Sequence, residues 1–316
     1  MEEQADPRWT SNGWGYRVTS QDQTFRAITR IVLLSAGRRY VWRGCTNSSF
    51  RIRSLLLRDS IIDESEALPS EMQLRQRELA ILREAREWGL TLEMGPLAPD
   101  LHLLAQLQHH GVTTRLLDVT YNPMTALWFA CENGEESGVL FAFDVTDFPA
   151  YDTIDPHQRQ SYGLVVDPLE WSLRHALAVS ARTGSPFLVR PTLRNARMQA
   201  QEGLFISGVV PLDPSPTGID GLPVPFGKAP GRERLADLFS GERGAGRPAR
   251  LPFCAIVIPA SIKKKVKLHL TALNRRRSTM YPDIDGFRDA LRDGDVPVYP
   301  LPDAISAYDD TDAAGS

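Results

Sequence analysis

Residues 106–129 read QLQHHGVTTRLLDVTYNPMTALWF. A helix ending, a short strand and a new helix follow one another within this stretch, yet the strand carries Arg115, Asp118 and Thr120, polar groups that an apolar core does not call for. Just upstream, PDLHLLAQLQHHG offers Asp100 as an N-cap, Leu103, Leu104 and Leu107 as a buried stripe, and Gly111 as the stop. Thr113 to Asp118 then predicts a short strand. In YNPMTALWFACENG, Asn122 is a natural N-cap and Pro123 suits the first helical position, with Met124, Leu127, Trp128 and Cys131 as the apolar face. The polar groups between the two helices either hold the turn together or face a ligand.

Working outward, SQDQTFRAITRIVLLS predicts a helix with Phe25, Ile28, Val32 and Leu33 on one face, and RRYVWRGC a short strand ended by Gly44. EMQLRQRELAILREAREWG predicts a long helix packing Leu74, Ile81, Ala85 and Trp88. GVLFAFDV is a nearly continuous apolar run, the mark of a strand buried on both faces. Farther on, DPLEWSLRHALAVSA reads as helix, and PFLVRPT, GLFISGVV and FCAIVIP as strands. ASIKKKVKLHLTALN predicts a helix burying Ile262, Val266, Leu270 and Leu273, and PDIDGFRDALR a short one using Ile284, Phe287 and Leu291. The mixture predicts an α+β fold, a mixed sheet core with flanking helices. Residues 1–17 are expected to form a flexible N-terminus, residues 211–252, dense in Pro and Gly, an insertion outside the core, and residues 303–316 a disordered tail.

Composition bounds the function. The 316 residues are 42% hydrophobic and 24% charged, as in a soluble globular protein, and the formal charge of −3 supplies no overall field for nucleic acid or an anionic membrane. The three cysteines, Cys45, Cys131 and Cys254, are scattered, odd in number and lack CxxC spacing, which argues against a cysteine-based zinc site and a disulfide framework. Neither a signal-peptide pattern nor a membrane-length apolar run occurs, so the expected setting is cytoplasmic, with no metal and no membrane.

Four islands in this order resemble the FRG domain family: Trp42, Arg43 and Gly44 in VWRGC, the stretch QHHGVTTRLLDVTYNPMTALWFA, the segment RMQAQEGLF, and STMYPDIDGF. The resemblance implies one FRG-like domain over residues 18–302. The order of elements is also similar to that of the ADP-ribosyltransferase superfamily, in which an Arg or His lies on a first strand, a Ser-Thr-Ser strand precedes a helix, and a Glu lies on a later strand. That likeness assigns Arg43 to the first element, Asp118-Val119-Thr120 to the second and Gln201-Glu202 to the third. It implies an ADP-ribosyltransferase-like core that takes NAD as substrate and modifies a macromolecule, whether RNA, DNA or protein, in a toxin or antiphage defence role, with room for an antitoxin or regulatory partner. A non-catalytic module that binds a nucleotide or a partner is the alternative.

On that resemblance, Glu202, Gln201 and Asp118 are the candidate catalytic residues, and Arg43, Thr120 and His109 the cofactor-binding ones. A carboxylate aligned with the ribose would stabilise positive charge as nicotinamide leaves. Arg43 offers a guanidinium fork for pyrophosphate, or else pairs with a carboxylate to staple the strand. Asp118 and Thr120 stand where strand hands over to helix, a place that serves ligands and turns alike. Either Gln201 or Glu202 faces the site, because adjacent strand positions point to opposite faces. Arg115 shares a face with Leu117, not with Asp118, and is expected to be a structural partner of a carboxylate elsewhere. His109 and His110 close a helix, where a charged imidazole is favoured. KKKVK at 263–267 and NRRRS at 274–278 are the densest basic runs, either solvated or in contact with nucleic-acid phosphates.

Overall fold

The computed structural model describes residues 8–34, 37–61, 68–91, 99–132, 135–153, 168–191, 195–211, 219–223, 227–240 and 251–292, with residues 294 and 296. The chain is α+β. Its sheet is built from strands β1 (Gly15–Arg17), β2 (Tyr40–Cys45), β3 (Leu117–Thr120), β4 (Gly138–Asp144), β5 (Ala150–Asp152), β6 (Phe187–Arg190), β7 (Gly203–Ser207) and β8 (Phe253–Ile258), in the order β1-β8-β4-β2-β3-β7-β6-β5. The β1–β8 and β5–β6 pairs are parallel and the others antiparallel, so the sheet is mixed.

Period-two alternation divides the side chains between the two faces. Val139, Phe141 and Phe143 of β4 join Phe253, Ala255 and Val257 of β8 on one face, while Leu140 and Ala142 join Cys254, Ile256 and Ile258 on the other. All of β4 is buried, as its unbroken apolar run predicts.

Helices cover that second face: α2 (Gln21–Leu34), α6 (Pro123–Ala130), α9 (Arg232–Ser240) and α10 (Ala260–Ala272). Farther along the sheet, α4 (Glu71–Glu87), α5 (Asp100–His109) and α7 (Pro168–Thr183) share a core with Phe187, Val189 and Phe205. The short helices α1 (Arg8–Ser11), α3 (Leu55–Arg58), α8 (Ala196–Ala200) and α11 (Arg277–Met280), then α12 (Ile284–Arg292), complete the described elements.

Several expectations need correcting. Residues 8–17 are not a flexible arm: Trp9 and Trp14 are buried against Phe253, and β1 extends the sheet, because two large indoles bury more apolar area than the segment's polar neighbours oppose. Nor do residues 211–252 lie outside the core where they are described. Leu235 and Phe239 of α9 pack into it, Ile219 bridges to Ile52, and buried Asp220 is gripped by Arg51 and Arg53. Burial alone would raise the Asp220 carboxyl, but its hydrogen bonds and ion pairs with the two arginines hold it below the usual carboxylate range. Residues 1–7, 212–218, 224–226, 241–250 and 303–316 lie outside the described residues.

The strand expected at Thr113–Asp118 runs instead over Leu117–Thr120. Thr114 is used otherwise, its carbonyl accepting from the Leu56 amide and its hydroxyl from the Leu116 amide. Helix α5 is capped at Pro99, and Asp100 is buried against Arg86. Trp88 is 81% exposed, and Val32, Leu33, Leu273, Ile284, Phe287 and Leu291 also face outward, whereas Ala27, Ile31, Glu78 and Leu82 take the buried helix positions.

Candidate functional site

The sheet is weakly joined between β2 and β3. Their pairing is confined to Trp42 opposite Thr120, although β2 runs six residues against β4 and β3 pairs along its length with β7. Where that ladder stops, the Arg43 Nη1 donates to the Asp118 carbonyl oxygen at 2.6 Å. A guanidinium thus spans the split that backbone amides leave. A cavity of about 330 Å³ opens there, within the range of small-ligand sites.

The Trp-Arg-Gly run has a physical reason at each position. Trp42 is buried under α6 and lines the cavity, and Arg43 crosses the split. Gly44 lets β2 approach the helix, since a Cβ there would stand 1.8 Å from the Ala126 carbonyl oxygen. Gly138 does the same on β4, where a Cβ would meet the Ala130 carbonyl oxygen at 2.1 Å. The two glycines seat α6 against the sheet and so fix the cavity wall made by Thr125, Ala126 and Phe129. Asn122 caps α6 as expected, its Oδ1 accepting from the Met124 amide at 2.9 Å.

Polar groups at the split form a connected set. Gln108 donates to Asp118 Oδ2 at 2.8 Å and accepts from Thr114 Oγ1 at 2.6 Å. Arg43 Nη1 lies 3.9 Å from Asp118 Oδ2, and the Asp118 side chain remains 63% exposed. The carboxylate is therefore oriented without being consumed. Thr120 lines the cavity and also ties the turn, its hydroxyl donating to the Gln201 carbonyl at 2.6 Å and accepting from the Asn122 amide at 3.0 Å. The Thr125 hydroxyl, buried in the cavity wall, has no hydrogen-bond partner among the described residues.

The sequence leaves Gln201 and Glu202 open, and the structure separates them. Gln201 lines the cavity, and its Nε2 donates to the Met280 carbonyl at 2.9 Å. Glu202 is not among the lining residues. It has a φ of 52°, and its carboxylate accepts from Asn122 Nδ2 at 2.7 Å and pairs with Arg275 at 3.1 Å, so it joins the turn before β7 to the α6 cap.

His109 ends α5 and lines the cavity. Burial lowers its pKa, and the neighbouring His110 and Arg197 push the same way against Asp283 and Asp118. Burial therefore disfavours the charged ring, against the direction expected from the helix terminus.

Two lining residues, Tyr281 and Gln108, are not singled out by the sequence, and Arg197 stands in it only as the cation that RMQAQ brings near the site. Tyr281 forms a wall with Phe129, their ring centroids 6.3 Å apart, and burial pushes its phenol up to about 12. Arg197 lies 4.8 Å over the Tyr281 ring and is held by Asp283 at 2.8 Å. Gln108 was read only as part of a helix ending. The usable signal was the islands themselves: RMQAQ and STMYP each bring one cation or aromatic ring to the cavity.

Arg115 behaves as expected of a structural arginine. It is buried and bonds Glu78 at 2.8 Å and Glu71 at 3.1 Å, outside the cavity. Among the described residues no group of three His, Cys, Asp or Glu side chains could hold a metal, and no helix is long and apolar enough to cross a membrane.

No curated protein and no solved structure matches the chain. The FRG domain family matches residues 38–138, which include the Trp42-Arg43-Gly44 run and the stretch from Gln106 to Phe129. The cavity unites that matched part with Arg197, Gln201 and Tyr281 from beyond it. The part similar to the FRG domain is the part that builds the cavity's first wall, with Trp42, Arg43, Asp118 and Phe129.

Proposed function

We propose that the cavity is a nucleotide site, that NAD is the nucleotide it takes, and that the chain transfers ADP-ribose from NAD to a macromolecule. The observation that carries the reading is the convergence of Arg43, Asp118, His109 and Gln201 on one cavity with Arg197 and the rings of Phe129 and Tyr281. A guanidinium suits phosphate oxygens, a ring wall suits a planar base, and an oriented carboxylate suits a ribose whose anomeric carbon becomes cationic. The cavity measures about 330 Å³, and in this reading it takes one half of the dinucleotide while the other half extends through its open side.

In this reading Arg43 binds pyrophosphate and Asp118 is the carboxylate at the ribose. The bond from ribose C1′ to the nicotinamide nitrogen breaks, and its electron pair leaves with nicotinamide. A nucleophile of the acceptor then bonds to C1′ and gives up its proton to His109 or to water. Gln201 fixes the wall beside the ribose, and Thr120 acts through the turn that it ties.

The alternative, a nucleotide-binding module without chemistry, is favoured by one observation: Glu202 is spent on Asn122 and Arg275. Calorimetry with NAD, ADP-ribose and AMP, run beside an assay for nicotinamide release with cell extract, separates the two. Transfer predicts NAD binding, nicotinamide release and label on a macromolecule. Binding without release supports the module, and no binding of any of the three sinks both. Arg43→Lys should weaken NAD about tenfold while leaving the fold intact, because the charge stays and the fork is lost.

A further inference from the structure

Helix α10 and the turn into α11 carry a concentrated positive charge. From Pro259 to Tyr281 there are seven Lys and Arg residues and no Asp or Glu, in a chain whose formal charge is −3. Lys264, Lys265 and Arg276 are exposed and Lys267 half-buried, and no ion pair holds these four among the described residues.

This basic segment leads to the cavity. The Lys267 ammonium lies 5.6 Å from the Trp128 ring centroid, Trp128 meets Tyr281 edge-on at 5.9 Å, and Tyr281 lines the cavity. The Arg277 guanidinium lies 5.9 Å from the Tyr281 ring, opposite the same mouth residue that Arg197 covers. Acids nearby do not cancel the charge. Asp283 is tied to Arg197 and Glu202 to Arg275, while burial raises the Glu132 carboxyl that Arg277 and Lys267 draw back down.

We propose that this face, Lys264, Lys265, Lys267 and Arg276, is where the acceptor docks, and that the acceptor is a nucleic acid held by its phosphates. A run of cations without interleaved acids, reaching a ring-walled mouth, suits a polyanion with planar bases. A protein acceptor would call instead on the outward apolar stripe of α12, Ile284, Phe287 and Leu291, which Asp285 and Asp289 accompany. The acceptor role rests on the transfer reading above, whereas docking itself does not.

The test uses the full chain and fluorescent 20-nucleotide strands of RNA and DNA, single and double, read by anisotropy without NAD. Four phosphate contacts to a single strand predict a log–log salt slope of about −3, an affinity loss of about 50-fold between 50 and 200 mM salt. The variant combining Lys264→Glu, Lys265→Glu, Lys267→Glu and Arg276→Glu should lose binding at least tenfold and flatten the slope, with an unchanged melting temperature and unchanged NAD calorimetry. Because Lys267 touches Trp128, the triple variant that leaves it intact serves as a second readout and should show a smaller loss in the same direction. RNA and DNA arms show which polymer is preferred. Absence of binding at 50 mM salt, or an unchanged slope in the variants, overturns docking. Strand binding with label found only on protein overturns the acceptor assignment. Failure of NAD to bind leaves the anisotropy result standing, so the two readings fail separately.

Discussion

Arg115 and Asp118 stand three residues apart on the segment that sets the fold, and they end in opposite circumstances. The Arg115 side chain is 1% exposed and locked between Glu78 and Glu71, with a bond to the Gly208 carbonyl. The Asp118 side chain is 63% exposed, held by Gln108 and faced by Arg43, with oxygen surface left open to a cavity. Both are charged groups beside an apolar strand. What separates them is burial: two carboxylates and a carbonyl hold Arg115 away from water and fix α4 to the sheet, although its Nη2 has no partner among the described residues, whereas Asp118 keeps its oxygens at the cavity.

The sharpest way to break this comparison is to open the buried network. Glu78→Ala leaves Arg115 buried and short of a counter-charge, and should cost about 3–5 kcal/mol of stability, since an uncompensated buried ion is worse than no pair at all. Burial already pushes the Glu78 carboxyl up against the pull of Arg115, so desolvation is the larger force at this position. Replacing both partners, Glu78→Leu with Arg115→Met, should recover most of the loss. Thermal and urea melts of the two variants decide it. A Glu78→Ala protein within 1 kcal/mol of the parent would mean that water reaches Arg115.

Next in size is the matching change in the open cluster. Asp118→Asn keeps the shape and still accepts from Gln108, so stability should move by less than about 0.5 kcal/mol. Turnover should fall by a factor of about 100 or more, with NAD affinity within a few-fold, because a charge felt mainly in the transition state lowers the rate without lowering binding. Nicotinamide release and calorimetry on one preparation read both quantities. If stability falls and turnover does not, Asp118 belongs with Arg115 as a structural residue.

The fold was legible where a single period governs a segment. The β4 run, the Asn122-Pro123 start of α6 and the pairing of Arg115 with a carboxylate all follow from residue type and spacing. Local pattern failed where partners are remote. Trp9, Trp14, Asp220 and Phe239 sit in polar or Pro/Gly-rich sequence, and only long-range burial against Phe253, Arg51 and Tyr16 orders them. The outward stripe Ile284, Phe287 and Leu291 failed for the converse reason: amphipathic spacing says that one face is apolar, not that a neighbour covers it. Of the cavity, Arg43, His109, Asp118, Thr120, Gln201 and Arg197 are in view in the sequence, whereas Tyr281, more than eighty residues beyond Arg197, needs three-dimensional proximity.

The smallest expected effect is the most discriminating. Gln201 and Glu202 are adjacent, and only Gln201 lines the cavity. Glu202→Gln keeps an oxygen for Asn122 and removes a charge whose side chain is 45% exposed beside Arg275. An ion pair in that setting contributes little, so stability should drop by less than about 1 kcal/mol. Turnover should stay within about threefold of the parent. Gln201→Ala instead frees the Met280 carbonyl and loosens the wall that carries Tyr281, so NAD affinity should fall by more than Glu202→Gln lowers it. Titrations of NAD into both variants, with nicotinamide release beside them, compare the neighbours directly. A large loss of turnover in Glu202→Gln with NAD binding intact would show that this carboxylate leaves Asn122 and Arg275 to reach the ribose, and Asp118 would then share or surrender the role assigned to it.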